Sequence, residues 1–115
     1  MATVSSHILD SVSGKSAAGI RCELFLLDGD EKRLLFDVAA DQEGRISEPV
    51  ELDESKRGAE FELVFHGGDY FDTRSMASDS MVSSVVIRFS MNDDDRRYHL
   101  PVMLSPHSYS TWWSS

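Results

Sequence analysis

Short runs of alternating apolar and polar residues, closed by glycine and aspartate turns, recur along the whole chain. Clear examples lie at residues 20–27, 61–66, 85–89 and 98–104. Alternation with a period of two puts every second side chain on the same face and is typical of β-strands. About seven or eight such runs at this spacing predict an all-β fold built as an antiparallel sandwich or a barrel.

Three local features refine this prediction. Residues 68–76 suggest one short helix, with Asp69 as a candidate N-cap. Pro101 lies inside a strand-like run, which points to an edge position or a bulge because proline cannot donate to the ladder. The runs 85–87 and 102–104 are apolar on both faces, so a second buried surface and hence oligomerisation are expected.

Length and charge narrow the class of protein. A chain of 115 residues fits one domain, residues 1–115, and can bury a core without disulfides. The single cysteine, Cys22, fits a reducing compartment. A net charge of −9 disfavours nucleic acid as a partner. The chain has no apolar run of the roughly 20 residues needed to span a bilayer and no visible targeting signal, so we expect a cytoplasmic protein with no membrane partner.

Four histidines and one arginine could contribute chemistry. His7 and His99 occupy polar-side positions of predicted strands, where an imidazole can face a cleft. His66 and His107 fit structural roles, and Arg45 directly follows a turn and would by itself be read as solvated. The spacing predicts no metal site and no cofactor, because no His-x-His pair, Cys-x-x-Cys pair or phosphate-binding glycine motif occurs. No Gly-x-Ser-x-Gly elbow supports a serine nucleophile.

Five segments in order resemble those of the transthyretin-like family, and together they cover nearly the full chain. Residues 6–10 resemble its Ser/Thr-x-His-Val-Leu-Asp opening, and residues 14–20 its Gly-x-Pro-Ala-x-Gly-Val stretch. Residues 41–45 are similar to its Asp-Gly-Arg turn. Residues 61–71 resemble its Tyr-Glu-Leu-x-Phe and Gly-Asp-Tyr-Phe segments. Residues 98–111 resemble its C-terminal signature.

The resemblance is to the enzymatic branch, the 5-hydroxyisourate hydrolases. It implies a transthyretin-type β-sandwich, assembled as a homotetramer with active sites between dimers, and ring-opening hydrolysis of 5-hydroxyisourate. The family's catalytic histidines and arginine correspond here to His7, Arg45 and His99, all retained. The hormone-carrier branch lacks this set, so its retention favours an enzyme.

The tail departs from the family pattern, in which the hydrolases typically end Tyr-Arg-Gly-Ser and the tail lines the substrate site. This chain ends Trp112, Trp113, Ser114 and Ser115. Replacing the arginine by Trp113 exchanges hydrogen-bond donors for an apolar surface, so we expect Trp112, Trp113 and Ser115 to bind substrate. One hypothesis is that the substrate is an N-methylated 5-hydroxyisourate, formed when methylxanthines such as caffeine are degraded through methylated urates. The other is that both tryptophans pack at a subunit interface, where aromatic residues are common.

Two other functions stay open at this point. The first is a non-enzymatic carrier of small aromatic ligands, which Trp113 would suit and the histidine and arginine set would not. The second is a purely structural or interaction sandwich, which predicts that His7, Arg45 and His99 do not converge on one site.

Overall fold

The structure is a computed structural model that describes residues 1–74 and 81–113, and within these it contains ten strands and one helix. In chain order they are β1 (Ala2–Asp10), β2 (Lys15–Ser16), β3 (Arg21–Asp28), β4 (Glu31–Ala39), β5 (Arg45–Val50), β6 (Glu60–Phe65), α1 (Gly67–Asp72), β7 (Val85–Ser90), β8 (Arg97–His99), β9 (Val102–Leu104) and β10 (Tyr109–Thr111).

The first sheet is organised around β1. Along one side of β1 lie β5 and then β2, both antiparallel to it. Along the other side lie β8 and then β9, both parallel to it, and β10 closes that edge antiparallel to β9. Strand β1 therefore has neighbours on both sides, and its outward side chains lie in the middle of a sheet face.

The second sheet has the order β4-β3-β6-β7, and all of its pairings are antiparallel. Its inner face meets that of the first sheet in a core that includes Ile8, Leu24, Phe61, Leu63 and Phe65, each fully buried. Burying one such side chain stabilises the fold by roughly 1.5–3 kcal/mol. The all-β sandwich predicted from the alternating runs is confirmed.

Two expectations need correction in detail. The helix begins at Gly67 with His66 as its N-cap, so Asp69 lies in the first turn and is not the cap. The helix also ends earlier than expected, at Asp72, and the predicted end at Met76 lies outside the described residues.

The run expected at residues 98–104 is two strands. Because Pro101 has no N–H to donate to the ladder, pairing with β1 breaks between β8 and β9. The carbonyl of Leu100 is satisfied instead by the Ser6 hydroxyl, which donates to it at 2.7 Å. The register is the same on both sides of this break, since Ser5 lies opposite His99 and Ile8 opposite Val102, so Pro101 interrupts the ladder without the bulge that was expected.

In the described parts of the chain, no helix has the length and apolar character needed to cross a membrane.

Candidate active site

Alternation along β1 decides which of its side chains leave the core. Val4, Ser6 and Ile8 face inward and are buried, so Ser5 and His7 belong to the outer face of the first sheet. His7 is half-buried in the middle of the strand. Strand β5 lies on one side of it, and the break between β8 and β9 lies on the other.

Arg45 is the first residue of β5 and lies directly opposite His7. Directly opposed residues of antiparallel strands have Cβ atoms roughly 5 Å apart. The preceding residue, Gly44, has φ +73° and accepts the N–H of Ile8 on its carbonyl at 2.7 Å. This contact fixes the turn against β1, so the Arg45 side chain starts beside His7.

Asp41 closes the same turn from the other end. Its Oδ1 accepts the backbone N–H of Arg45 at 3.0 Å and that of Glu43 at 2.9 Å. These hydrogen bonds, that from Arg45 first, hold the pKa of Asp41 below its ordinary value. The carboxylate is therefore ionised at neutral pH, and it holds the backbone of Arg45 while the guanidinium is left half-exposed.

His99 ends β8 and lies beside Ser5 of β1. Its Nδ1 is 2.9 Å from the Ser5 hydroxyl oxygen. Burial lowers the pKa of His99, and the positive charges of Arg45, Arg97 and His7 lower this pKa further. His99 is therefore neutral at physiological pH, with a ring nitrogen free to accept a proton.

The outer face of the first sheet is thus a local cationic surface on a chain of net charge −9. The Nε atom of Arg45 lies 4.0 Å from a carboxylate oxygen of Glu43, and the charge of Arg45 also acts on the carboxylate of Asp41. Within residues 1–74 and 81–113, Arg97 makes no ion pair. On the outer face of the second sheet, by contrast, Glu62 is matched by Lys32 and Arg88. Among the described residues, the charge of Arg97 is therefore left without an ion pair, whereas that of Arg45 is partly balanced by Glu43 and Asp41.

The tail brings one tryptophan close to His99, in a pocket that neither His7 nor Arg45 lines. Trp113 and His99 both line a shallow pocket of about 230 Å³, and 76% of the Trp113 side chain is exposed. Trp112 is 44% exposed, and its backbone N–H donates to the carbonyl of Pro101 at 3.4 Å. The third predicted tail residue, Ser115, lies outside the described residues.

A larger cavity of about 390 Å³ lies elsewhere, between α1, residues 82–85 and the loop after β9. His7, Arg45 and His99 do not line it. Its walls are largely apolar. The titratable residues on them are Asp69, Asp72, His107 and Tyr109. The described residues that line this cavity include no arginine or lysine to stabilise an oxyanion, so we place the candidate site where His7, Arg45 and His99 share one face of the first sheet.

The remaining candidates have structural surroundings. His66 pairs with Glu23, and His107 is exposed in the loop after β9. Cys22 is fully buried in β3, and burial raises the pKa of its thiol to about 12, which leaves it protonated and unreactive. In the described portion of the chain, no group of three or more histidine, cysteine or carboxylate side chains is arranged to hold a metal ion.

Sequence reasoning missed three residues of this surface: Ser5, Asp41 as a hydrogen-bond acceptor, and Arg97. Ser5 could have been found, because it stands two residues before His7 in an alternating strand and must share its face. Asp41 had a weaker signal in its spacing to the turn glycine. Arg97 had the same signal as Ser5, because it stands two residues before His99 in one strand and must share its face.

Comparison with known proteins agrees with this description. The sequence profile of the HIUase/Transthyretin family matches residues 4–113. The chain is 34% identical over 114 residues to 5-hydroxyisourate hydrolase 2 of Rhizobium meliloti, which covers 97% of this chain and 95% of that protein. The resemblance inferred from the motifs is confirmed.

Solved structures agree as well. The 5-hydroxyisourate hydrolase of Klebsiella pneumoniae superposes with a TM-score of 0.77 at 26% identity, over 98% of this chain and 99% of that one. Sea bream transthyretin, solved with thyroxine, gives a TM-score of 0.82 at 20% identity, over 96% of this chain and 93% of that one. At that identity the second likeness concerns the fold alone, and it confirms the transthyretin-like sandwich.

Proposed function

The chain belongs to the HIUase/transthyretin family, and from this premise we propose that it is a hydrolase that opens the ring of a 5-hydroxyisourate by cleaving a cyclic amide C–N bond. One observation carries the proposal. Three adjacent strands put His7, Arg45 and His99 on one face of the first sheet, where a general base, a general acid and an oxyanion-stabilising cation can act on one molecule.

The roles follow from the charge of each group. His99, whose pKa is lowered, takes a proton from water as the general base. The water oxygen bonds to a ring carbonyl carbon, and Arg45 stabilises the negative charge that develops on the carbonyl oxygen, since a guanidinium stays protonated. When the C–N bond breaks, His7 gives a proton to the leaving nitrogen. Proton exchange with solvent then returns both histidines to their starting states.

The tail bears on which ring is accepted. An indole offers one N–H donor and a broad apolar face, whereas a guanidinium offers five donors. A hydrogen bond to a charged group contributes about 1.5–3 kcal/mol, and each buried methyl group contributes roughly 0.8 kcal/mol. Two or three N-methyl groups against an indole would therefore replace one lost arginine contact. The position of Trp113 on the His99 pocket supports an N-methylated 5-hydroxyisourate as the substrate, formed in methylxanthine breakdown.

The assembly and location are proposed on separate grounds. We propose a homotetramer in which the outer face of the first sheet meets a second dimer. Val86 and Met103, each on an outer sheet face, are exposed in the single chain, which supports further burial in an assembly. Light scattering coupled to size-exclusion chromatography tests this directly, and a monomer at micromolar concentration would refute it. The lone cysteine supports a reducing compartment, and we propose the cytoplasm.

A paired ultraviolet decay assay tests the function. Urate and trimethylurate are each oxidised freshly, and the decay of each hydroxyisourate is followed with and without the protein. We expect faster decay of the methylated ring. Faster decay of the unmethylated ring alone would leave a hydrolase whose tryptophans serve packing. If neither decay is accelerated, the hydrolase proposal is refuted for these substrates, and the likeness to a carrier fold becomes the better guide.

A further inference from the structure

Ser5 is buried although it belongs to the outer face of the sheet. Only 2% of it is exposed, and its hydroxyl oxygen lies 2.9 Å from Nδ1 of His99. Within residues 1–74 and 81–113, this is the one hydrogen bond made by either of these side-chain groups. The imidazole therefore has a single fixed point, and the opposite nitrogen, Nε2, is the one left for chemistry.

We propose that the Ser5 hydroxyl is a positioning group that accepts the Nδ1 proton of His99 and so keeps Nε2 as the working nitrogen in both protonation states. This rests on the proposed role of His99 as the base. In the neutral ring, a proton on Nδ1 leaves the lone pair on Nε2, as a base requires. After Nε2 has taken a proton, Nδ1 still donates to the same oxygen. The ring can pass between base and conjugate acid without turning.

A hydroxyl suits this position better than a carboxylate would. A carboxylate on Nδ1 would stabilise the imidazolium and raise the pKa of His99. Ser5 carries no charge, so it orients the ring, while burial first and then the charges of Arg45, Arg97 and His7 keep the pKa of His99 low. Orientation and a low proton affinity are thus supplied by different groups.

The competing explanation is that Ser5 only ties two strands together, and the chain contains a matched control for this. Ser6 is the next residue, is 1% exposed, and donates its hydroxyl to the carbonyl of Leu100 at 2.7 Å. Both serines connect β1 to the same stretch of chain, but Ser6 does so on the inner face. Ser6→Ala therefore removes a comparable tie without touching His99.

The first test compares Ser5→Ala, Ser5→Thr and Ser6→Ala in turnover across pH. For Ser5→Ala we expect a plateau kcat lowered about 10- to 100-fold, part of what general acid–base catalysis supplies. The acidic limb of its profile of kcat against pH should move to lower pH by about half a unit or more. The reason is that the imidazolium loses a charge-assisted hydrogen bond, which stabilises the charged ring more than the neutral ring.

The kcat of Ser5→Thr, which keeps the hydroxyl, should stay within about threefold of wild type. Ser6→Ala should lower the melting temperature but leave the pH profile in place. A Ser5→Ala plateau within twofold of wild type, with an unmoved acidic limb, would overturn the proposal.

The second test does not need turnover. Nitrogen-15 NMR of the imidazole rings in the full-length protein reports which nitrogen of His99 carries the proton. We expect Nδ1 to be protonated in the neutral ring of the wild type and of Ser5→Thr, and this preference to be lost in Ser5→Ala. A wild-type ring protonated on Nε2 would overturn the proposal. If the tautomer is as expected but no hydroxyisourate decays faster, the positioning holds and the proposed function fails, so the two failures can be told apart.

Discussion

Replacing Gly44 by alanine tests how Arg45 is positioned. Gly44 has φ +73°, and an added Cβ would lie 2.5 Å from the carbonyl oxygen of Ile8, where ordinary contact begins at 3.4 Å. Backbone, not a flexible side chain, stands in the way. The turn must therefore shift by about 0.9 Å, the difference between 3.4 and 2.5, and Arg45 shifts with it.

The expected loss of stability in Gly44→Ala has two parts. A left-handed backbone costs an alanine roughly 1–2 kcal/mol. Losing the hydrogen bond from the Ile8 N–H to the Gly44 carbonyl costs about 0.5–1.5 kcal/mol more. The free energy of unfolding should therefore fall by about 1.5–3.5 kcal/mol. Misplacement by about 1 Å near the reacting groups can lower turnover by about a hundredfold, so a loss of 10- to 100-fold is expected.

Gly14 provides the control. Its φ is +74°, but an added Cβ would meet nothing within 4 Å. Gly14→Ala should therefore cost only the backbone term, about 1–2 kcal/mol, and leave turnover near wild type. Urea unfolding of both variants at one fixed protein concentration, with turnover measured on the same samples, makes the comparison.

Two outcomes would contradict the role given to the contact between Gly44 and Ile8. If Gly44→Ala were no less stable than Gly14→Ala and kept wild-type turnover, close approach to Ile8 would not be what positions Arg45. The same would follow if the two variants were equally stable but Gly44→Ala lost turnover, because the contact with Ile8 is expected to support both stability and the position of Arg45.

Three further predictions concern the same surface. His7→Ala, Arg45→Ala and His99→Ala should each lower kcat by about 10²- to 10⁴-fold while the melting temperature stays close to wild type, and near-normal turnover would remove that residue from the mechanism. Asp41 has a lowered pKa in the folded state, so its stabilising effect is present above its ordinary value of 3.8 and is lost as pH falls through the lowered value. The melting temperatures of wild type and Asp41→Asn should thus differ at pH 7 and converge in acid, and a gap that stays constant would contradict this. Trp113→Arg should lower kcat/KM for the methylated ring relative to the unmethylated ring by about tenfold or more, and an unchanged ratio would assign the indole to packing.

The strands and the core could be read from the sequence because their cause is local. A side chain at every second position faces the same way in any strand, so the alternation at residues 20–27 puts Cys22 and Leu24 on one face without any partner strand being known, and both are fully buried. The helix was harder to bound. Its cap depends on where the preceding strand stops, and so Asp69 was assigned to the wrong position.

The candidate site, in contrast, depends on pairing between strands that are distant in the chain. Composition and spacing alone gave Arg45 no distinction from a solvated arginine, and only the resemblance to a family singled it out. What makes it a candidate is the pairing of β5 with β1, which places it opposite His7. The split of the run at residues 98–104 around Pro101 also escaped prediction, because the break is defined against β1.

The sequence by itself therefore determined the alternating strands, their turns and the family, since each is encoded in neighbouring residues or in motifs that keep their order. Only the tertiary structure decided that His7, Arg45 and His99 share one face and that Ser5 holds the ring of His99. Ser5 and His99 are 94 residues apart in the chain, and the parallel pairing of β1 with β8 brings them together. Contacts of that separation depend on how whole strands pack, which no local pattern of residues specifies.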